Sequence, residues 1–515
     1  LERRRATPSD ASLRPPLGLV SHEEGDVIFY FQGRTQRRRI ERRRGSEPSG
    51  IDMDADTVEN VLDTPVVIDG GQLEGGGQVV RVAMAVSSVT RRTCTVNNIR
   101  AGRPKPGLAA QHMAGVELVA VLCHGALKGT GGNKRGRDDE SSGKVGKGSV
   151  EFTHELSRLD EIRDNGACAH TPLVAPLQHC TKRTHWEVDV GTAGAIPLVL
   201  QAAMPWLSQK ATQLLGMRPS GRRDVPRVGC VGLRHDDREG KPWCSVLALR
   251  GGTDVPFAPT IDYLRYVLWP VISESWVRHS TSCEVDMKFE VLKRGFYPKG
   301  GGKVRVSTSH LQEPEYKKRI SLTRATDNKP EDWRITVHVT STEHEVLHLN
   351  KICLNAFLHA SDKATSMKDS SEFKHGEVDT AEECRRAGEK GASVTMSATH
   401  LWNESPVHFG VSRVVDVKKG EKLEDAATSA AEELAALIDS GATVDDHMLD
   451  QLVVYMALGA GGEVLARAPL SMHAKTAMAV CEQMMPWVKF KTTEQSSSLV
   501  MVTCDVGSKP YDRTS

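Results

Sequence analysis

Residues 69–81 read DGGQLEGGGQVVR, and this stretch decides the fold because a glycine-rich turn joins an apolar run to a helical pattern. The apolar run before it, residues 66–68, is Val-Val-Ile and favours a strand. After the turn, apolar residues over 79–89 recur at helical spacing. The stretch therefore predicts a strand–turn–helix unit.

The same arrangement recurs along the chain. Glycine-rich turns at 191–194 and 251–252 lead into helix-spaced apolar segments at 196–207 and 261–272, and another helix is predicted over 423–438. Repeated units of this kind predict an α/β or α+β architecture built by internal duplication.

Composition divides the chain into compact and loop-like parts. An arginine run at residues 37–44 is typical of a nuclear-localisation or nucleic-acid-binding tail, and equally of a solvated disordered tail. The region 310–400 has its own strand and helix patterns between charged stretches, which indicates a small inserted domain. We predict, in chain order, a disordered basic tail (1–60), catalytic repeats (61–309) with loop insertions at 128–148 and 209–241, an inserted α/β domain (310–400) and a final repeat (401–505).

The bulk composition excludes several classes of protein. The net charge of +1 gives no global attraction for nucleic acid, so a polyanion site must be a local patch. The 11 cysteines show no paired spacing, so neither a disulfide framework nor a zinc site is predicted, as in a reducing compartment. No apolar run reaches the roughly 18 residues of a membrane helix, and we expect an intracellular protein without a membrane partner.

The first chemical signal is a carboxylate among glycines. Backbone N–H groups of a glycine turn before a helix can approach an anion closely, which makes Gly76 a candidate contact. Glu74 would repel phosphate there unless a divalent cation lay between them, so Glu74 is a candidate ligand for Mg²⁺ or Mn²⁺ bound to a nucleotide. The turn lacks the Lys-Ser/Thr of a phosphate-binding P-loop, and a glycine turn alone is often purely structural.

Two more loops carry basic residues. Arg100, Arg103 and Lys105 lie in IRAGRPKPGL (99–108), where prolines and glycines stiffen the loop and suit phosphate binding by guanidinium groups. An ordinary solvated basic loop is the alternative. RGFYPKGGG (294–302) combines aromatic, basic and glycine residues, a mixture expected where backbone passes a nucleotide or RNA end, although it also fits a tight turn.

The last signal is a histidine at a predicted helix start. His473 follows a turn and precedes apolar residues at helical spacing, so it would lie in the field of a helix N-terminus. That field favours a neutral, nucleophilic imidazole. A histidine in such a place is more often a capping or packing residue. Only the other motifs of the chain make His473 a stronger candidate for catalysis.

Together and in this order, the motifs resemble the RNA 3′-terminal phosphate cyclase family over about residues 65–490. The resemblance is carried by EGGGQVVR (74–81), IRAGRPKPGL with Gln111-His112, TAG (192–194), GGTDVPFAP (251–259), RGFYPKGGG, DQLVVYMAL (450–458) and His473. It implies a catalytic domain of βαβαββ-like repeats with a small inserted α/β domain. It also implies an ATP-dependent enzyme that uses Mg²⁺ or Mn²⁺, carries AMP on a histidine and closes an RNA 3′-phosphate into a 2′,3′-cyclic phosphate.

Mapped residue by residue, the resemblance makes His473 the nucleophile and Glu74 the metal-associated carboxylate. Pro256 is expected to pack on adenine. His447 stands where family members carry a stacking tyrosine, and after the nucleophile Ala474 leaves hydroxyl assistance to Thr476. The other nucleotide- or phosphate-binding candidates are Gly76, Gln78, Arg81, Arg100, Arg103, Gln111, Asp450 and Gln451.

Two other readings stay open. A non-catalytic branch of the family acts as a ribosome-assembly factor in the nucleolus, and His473 with the complete glycine and arginine motifs favours the enzyme instead. An enolpyruvyl transferase has similar repeats but needs neither His473 nor the Asp450-Gln451 pair. We expect nuclear (nucleoplasmic) or cytoplasmic localisation, the basic tail favouring the nucleus; the sequence indicates no oligomeric state.

Overall fold

The structure is a computed structural model, and it describes the central and C-terminal parts of the chain. The predicted tail (1–60) and the two predicted loop insertions lie outside the described residues, except for positions 128, 148 and the edges of their neighbouring elements. The described ranges are 64–123, 125–128, 148–153, 174–176, 185–208, 245–274, 287–308, 319–323, 333–342, 346–360, 383–384, 387–402, 405–415 and 419–507.

The first unit is a four-stranded sheet with two helices. Its elements are β1 (Val66–Asp69), α1 (Gly77–Thr90), β2 (Cys94–Asn97), α2 (Ala110–Cys123), β3 (Ala126–Lys128) and β4 (Val150–Thr153). The strand order is β1-β2-β4-β3, with β1 and β2 parallel and the remaining pairs antiparallel. Because α1 and α2 are buried on nearly every side, their apolar residues fill the space between units.

The second unit repeats this plan with one extra edge strand. Its elements are β5 (Val174–Pro176), β6 (His185–Asp189), α3 (Ile196–Leu207), β7 (Ser245–Gly251), α4, β8 (Met287–Lys293) and β9 (Gly302–Thr308). The helical stretch α4 consists of Ile261–Tyr263, the π-helical Leu264–Leu268 and Trp269–Ile272. The order is β5-β6-β7-β9-β8, with β6 and β7 parallel.

A separate layer follows the strand β10 (Ile320–Leu322). It is an antiparallel sheet in the order β11-β12-β13, with two helices that pack on each other and on the sheet. Its elements are β11 (Trp333–Ser341), α5 (Val346–Ala360), β12 (Ala392–Trp402), β13 (Ser405–Val414) and α6 (Leu423–Ser440). We call this layer the insert; its predicted limits, 310 and 400, stay a prediction, and residue 400 lies inside β12.

The third unit closes around the insert. Its later elements are α7 (Asp446–Leu458), β14 (Gly462–Arg467), α8 (Met472–Met484), β15 (Val488–Ser496) and β16 (Leu499–Val506). The sheet order is β10-β14-β16-β15, with β10 and β14 parallel across the insert. All three units therefore share a first–second–fourth–third order, which confirms the predicted α/β (α+β) fold of repeated βαβαββ units with an inserted α/β layer.

The helices of different units pack together in one continuous core. α1 lies against α2, α3 and α8, and α7 lies against α8. As a result, segments near the N-termini of these helices lie close together, although they are far apart in sequence. No helix in the described ranges is long and apolar enough to cross a membrane.

Candidate active site

The loop before α1 is joined to the start of α8. The backbone N–H of Glu74 donates to Thr476 Oγ1 over 3.2 Å, and this hydroxyl donates to the Met472 carbonyl over 2.7 Å. Thr476 is fully buried, so its hydroxyl is engaged in holding the two segments together. The bond spans 402 positions of sequence and brings Glu74 beside the turn that carries His473.

Glu74 folds back over its own glycine turn. Arg103 Nη2 lies 2.5 Å from Glu74 Oε1 and also donates to the Glu74 carbonyl over 2.9 Å. A Cβ on Gly76 would lie only 2.0 Å from Glu74 Oε1, so a side chain at position 76 would displace the carboxylate from this position. Glu74 Oε2 is buried and, among the described residues, accepts no hydrogen bond.

Arg81 lies one turn into α1 and faces the same space. Its Nη2 donates to Gln78 Oε1 over 2.6 Å, and Gln78 Nε2 donates to the Asp450 carbonyl over 3.4 Å, which ties α1 to α7. Burial lowers the pKa of Arg81, and the carboxylates of Asp450 and Glu74 oppose that effect. Within the described part of the chain Arg81 Nε has no acceptor, so the guanidinium keeps donor capacity for a bound anion.

His112 joins this group, and the sequence analysis did not select it as a site residue. Its Nδ1 accepts from the Ala109 N–H over 3.2 Å. Burial, and next the positive Arg81 and Arg100, lower the pKa of His112 to about 3. The neutral ring therefore carries its proton on Nε2, which lies 2.2 Å from where a Gly77 Cβ would stand, at the N-terminus of α1. A signal existed in the Gln111-His112 motif, but sequence does not show which of the two faces the turn.

Three other predicted residues have structural partners. Gln111 Oε1 accepts from the Ala195 N–H over 3.0 Å and so fixes the turn before α3. Arg100 donates from Nη1 to the Gly107 carbonyl over 2.9 Å and closes its own loop, whereas Arg103 reaches Glu74. Arg103 thus lies against the Glu74 turn, while Arg100 acts on the site through its charge near His112.

The start of α7 is fixed by an N-cap and two neighbouring layers. Asp445 Oδ1 accepts from the Met448 N–H over 2.9 Å and from the Tyr263 hydroxyl over 2.6 Å, while Oδ2 accepts from the Gly410 N–H over 3.0 Å. Exposed His447 follows, with its ring centroid 6.1 Å from that of Tyr263. The first turn of α7 is therefore held rigidly by α4 and the insert.

Asp450 and Gln451 lie buried one turn further along α7. Burial raises the pKa of Asp450, and the charges of His447 and His473, a hydrogen bond from Gln451 and the charge of Arg81 oppose the rise. The Asp450 carboxyl group is thus within electrostatic range of His447, His473 and Arg81. The Asp450 carbonyl is used by Gln78, and the contact of Asp450 and Gln451 with a nucleotide stays a prediction.

His473 occupies the second position of α8. Ser471 caps the helix, its Oγ accepting from the Ala474 N–H over 3.1 Å. The side chain of His473 is exposed, so it neither caps nor packs into the core. An exposed imidazole at a helix N-terminus can act as a nucleophile towards a phosphate.

A second group of loops is connected to the Glu74 turn and His112 through α2. The Gly252 N–H donates to the Gly194 carbonyl over 2.9 Å, and the Thr253 N–H donates to the Gly295 carbonyl over 2.8 Å. Half-buried Pro256 lies on this loop group, next to the turn that Gln111 holds. No hydrogen bond between described residues joins Pro256 to the His473 turn, and its contact with adenine stays a prediction.

Arg294 has a different role from the one its motif suggested. It is fully buried and donates from Nη1 and Nη2 to Asp262 over 2.8 and 3.0 Å, and from Nε to Glu383 over 2.9 Å. Asp254 is a third carboxylate partner at 3.3 Å, and it also accepts from Ser393 of the insert over 2.9 Å. The arginine of RGFYPKGGG therefore joins the second unit to the insert and is not available to a ligand.

Comparison with known sequences adds an independent finding. The profile of the family described as RNA 3′-terminal phosphate cyclase matches residues 72–216 and 241–492. The chain is similar to curated proteins of that name from Pyrobaculum neutrophilum (28% identity, 86% of this chain and 99% of that protein). Others come from Nitrosospira multiformis (29%, 83% and 94%) and Methanothermobacter thermautotrophicus (30%, 81% and 94%).

Proposed function

The chain belongs to the RNA 3′-terminal phosphate cyclase family, and from that premise we propose that it uses ATP to convert an RNA 3′-terminal phosphate into a 2′,3′-cyclic phosphate, with His473 as the covalent carrier of AMP. The observation that carries the proposal is the exposed His473 at the start of α8, joined through Thr476 to the Glu74 turn. This join supports the proposal because it connects the start of α8, which carries the proposed nucleophile, to the loop before α1, the proposed phosphate-binding helix.

In the first step, a ring nitrogen of His473 attacks the α-phosphorus of ATP. A P–N bond forms, the P–O bond to the β-phosphate breaks and pyrophosphate leaves. Arg81, with an unused Nε donor, and the N-terminus of α1 would hold the negative charge of the phosphates. Neutral His112 would add an N–H donor at the same helix start.

In the second step, an oxygen of the RNA 3′-phosphate takes AMP from His473, which breaks the P–N bond. The neighbouring 2′-hydroxyl then attacks the 3′-phosphorus, loses its proton and releases AMP. Activation is needed because a phosphate monoester has a poor leaving group, whereas an adenylated phosphate has a good one. Gln451 and Asp450 would face the bound nucleotide from α7, and the rigid first turn of that helix would fix their positions.

A divalent cation fits at Glu74. Its buried Oε2 accepts no hydrogen bond within the described ranges, which suits a carboxylate that ligates a cation. The described residues contain no group of three or more metal-ligating side chains, so most ligands would be phosphate oxygens and water, as is usual for Mg²⁺. When bound, Mg²⁺ or Mn²⁺ would neutralise phosphate charge, and Arg103 would orient the carboxylate that holds it.

The test is covalent labelling. Wild-type protein incubated with α-³²P-ATP and Mg²⁺ or Mn²⁺ should take acid-labile, alkali-stable label, and His473→Ala should take none. His359→Ala is a matched control, because His359 is an exposed helical histidine in the insert and its loss should leave labelling intact. Label that persists in His473→Ala, or is absent from the wild type, would contradict the proposal.

Cyclisation separates an enzyme from a non-catalytic assembly factor. A 3′-phosphorylated oligoribonucleotide should become resistant to phosphatase after incubation with protein and ATP. His473→Ala should slow this conversion by roughly 10⁴-fold or more, as for other covalent nucleophiles. An assembly factor would bind RNA without converting its end.

A further inference from the structure

Phe257 has an unusual position in the loop that follows β7. Its side chain is 98% exposed, and its backbone has φ +64°. Bulky side chains rarely adopt this left-handed region, and strained residues of this kind concentrate at functional sites. Since the ring packs against nothing in the described protein to compensate, the conformation calls for an explanation outside the core.

The loop around Phe257 is held firmly on both sides. Val255 is buried against Ala195 and Leu198, and Thr260 caps α4 by accepting from the Tyr263 N–H over 3.1 Å. Between these anchors the ring projects from a well-fixed backbone. Its exposure is therefore a property of the fold and not of a loose loop.

A second aromatic residue stands on the neighbouring segment. Asp254 and Phe296 form a parallel β-bridge, so the stretch that leads to Phe257 runs beside the stretch that leads to Tyr297. Tyr297 is 49% exposed. Two adjacent loops thus present aromatic rings to solvent at the same edge of the second unit.

This edge adjoins the proposed active site. The loop contacts the turn that Gln111 of α2 holds, and α2 places His112 at the start of α1. From α4, directly after the loop, Tyr263 bonds Asp445 at the start of α7. The loop that carries Phe257 is therefore connected to α2 on one side and, through α4, to the start of α7 on the other.

We propose that Phe257, with Tyr297 on the paired loop, forms a stacking surface for a nucleobase at the 3′ end of the RNA substrate. The inference rests on the proposed function and names a positioning residue for it. Aromatic side chains bind unpaired bases of any sequence by stacking, which suits an enzyme that acts on RNA ends. Two rings form too small a patch for a stable protein partner, which needs on the order of 1,000 Å².

The base belongs to the RNA and not to ATP. Adenine is expected to pack on half-buried Pro256, whereas the ring of Phe257 is 98% exposed and remains available to a second base. The two sources of a base are separable by experiment, because ATP alone supports labelling of the protein while cyclisation also needs RNA.

The test compares Phe257→Ala, Phe257→Gly and Phe257→Trp with wild type. Phe257→Ala should raise the RNA KM of cyclisation by about tenfold, from the loss of one stacked base, and leave the ATP KM of covalent labelling unchanged. Phe257→Trp should restore the RNA KM. Phe257→Gly removes the ring while fitting the positive φ, so it should lose RNA affinity at an undiminished unfolding temperature. Val67→Ala, which removes an exposed apolar side chain (68%) on β1, is the control.

A fluorescent 3′-phosphorylated oligoribonucleotide provides a direct binding measurement by anisotropy. Wild type and Phe257→Ala should bind equally weakly to a matched oligonucleotide with abasic residues at its last two positions. Equal affinity of both proteins for the intact oligonucleotide would overturn the proposal, as would a change in the ATP KM alone. If wild type took no label, the proposed function would fail, and the anisotropy would still decide the role of Phe257.

Discussion

Two arginines of the molecule, Arg81 and Arg294, stand in glycine-rich motifs and meet carboxylates, yet they differ in how completely they are paired. Three carboxylates share the nitrogens of Arg294, which is shut off from solvent. Arg81 lies between Glu74 and Asp450 and has an Nε without an acceptor in the described part of the protein. A guanidinium whose nitrogens are all paired, such as that of Arg294, stabilises the fold. A guanidinium with an unused donor, such as that of Arg81, can still bind a ligand.

The carboxylates show the same contrast. Asp262 accepts from both terminal nitrogens of Arg294 and also from the Thr340 hydroxyl over 3.0 Å. Glu74 has one oxygen on Arg103 and one buried oxygen with no donor among the described residues. A buried carboxylate oxygen without a donor destabilises the protein, and the proposed cation would supply Glu74 Oε2 with a partner.

The largest expected effect is on the free energy of unfolding and comes from replacing Arg294, the fully paired arginine of this comparison. Arg294→Met should lower the free energy of unfolding in urea by about 3–5 kcal/mol, because it leaves buried carboxylates without their partner. Arg305→Met is the matched control: Arg305 is 46% exposed and pairs with Glu290, so the change should be about 1 kcal/mol or less. Equal effects of the two substitutions would contradict the structural role of Arg294.

Glu74 is the incompletely paired carboxylate of this comparison. The substitution Glu74→Gln should lower the rate of covalent labelling without lowering the free energy of unfolding. The rate of covalent labelling should fall by roughly 10²-fold, as when one electrostatic group of an active site is removed. The urea midpoint should change little, because the ion pair that the substitution weakens involves Arg103, which is 44% exposed, and such a pair contributes about 1 kcal/mol or less. Glu151→Gln, at an exposed ion pair with Lys128, should change neither. A clear loss of stability in Glu74→Gln would place Glu74 with the structural carboxylates.

The next prediction concerns His112, which should make the free energy of unfolding depend on pH. Its pKa lies at about 3 in the folded protein against 6.5 in an unfolded chain, so the folded state prefers the neutral ring. The resulting stability is complete above pH 6.5 and is lost as pH falls towards 3. Between these values His112→Gln should remove up to about 1.4 kcal/mol per pH unit from the slope of unfolding free energy against pH. Urea unfolding at pH 4 to 7 measures it; identical slopes would show that His112 is not buried as a neutral ring.

The smallest expected effect concerns the link between the Glu74 turn and α8. Thr476→Val keeps the side-chain shape and removes the hydroxyl that accepts from Glu74. We expect a loss of about 1–2 kcal/mol in unfolding free energy from the unpaired N–H, with a slower labelling rate as the turn relaxes. Thr476→Ser should recover both quantities. If Val and Ser behaved alike, the hydroxyl would not hold the two segments together.

Local patterns were enough to predict the repeated units and the place of His473. The strand–turn–helix motif around Glu74 is a matter of glycine content and apolar spacing, and the structure begins α1 directly after that turn. His473 lies at the second residue of α8, as the apolar spacing after it indicated. The family resemblance added what spacing cannot, namely the prediction that this histidine and these arginines act at one site.

Long-range partners could not be predicted. Arg294 lies in a motif that suits a ligand, and only the positions of Asp262, Glu383 and Asp254 around it reveal its structural role. The protonation of His112 depends on burial and on Arg81 from another helix. Nor does any sequence rule predict a left-handed Phe257, because that backbone is fixed by contacts on either side of the loop.

The parallel pairing of β10 with β14 has a consequence for how the protein is made. Ser321 and Glu463, partners in that ladder, are 142 positions apart, with the insert between them. At a synthesis speed of about 5–20 residues per second, the ribosome needs roughly 7–30 seconds to supply the second strand after the first. The helix that carries His473 emerges later still, so a nascent chain can complete its first two units and the insert before it contains the proposed nucleophile.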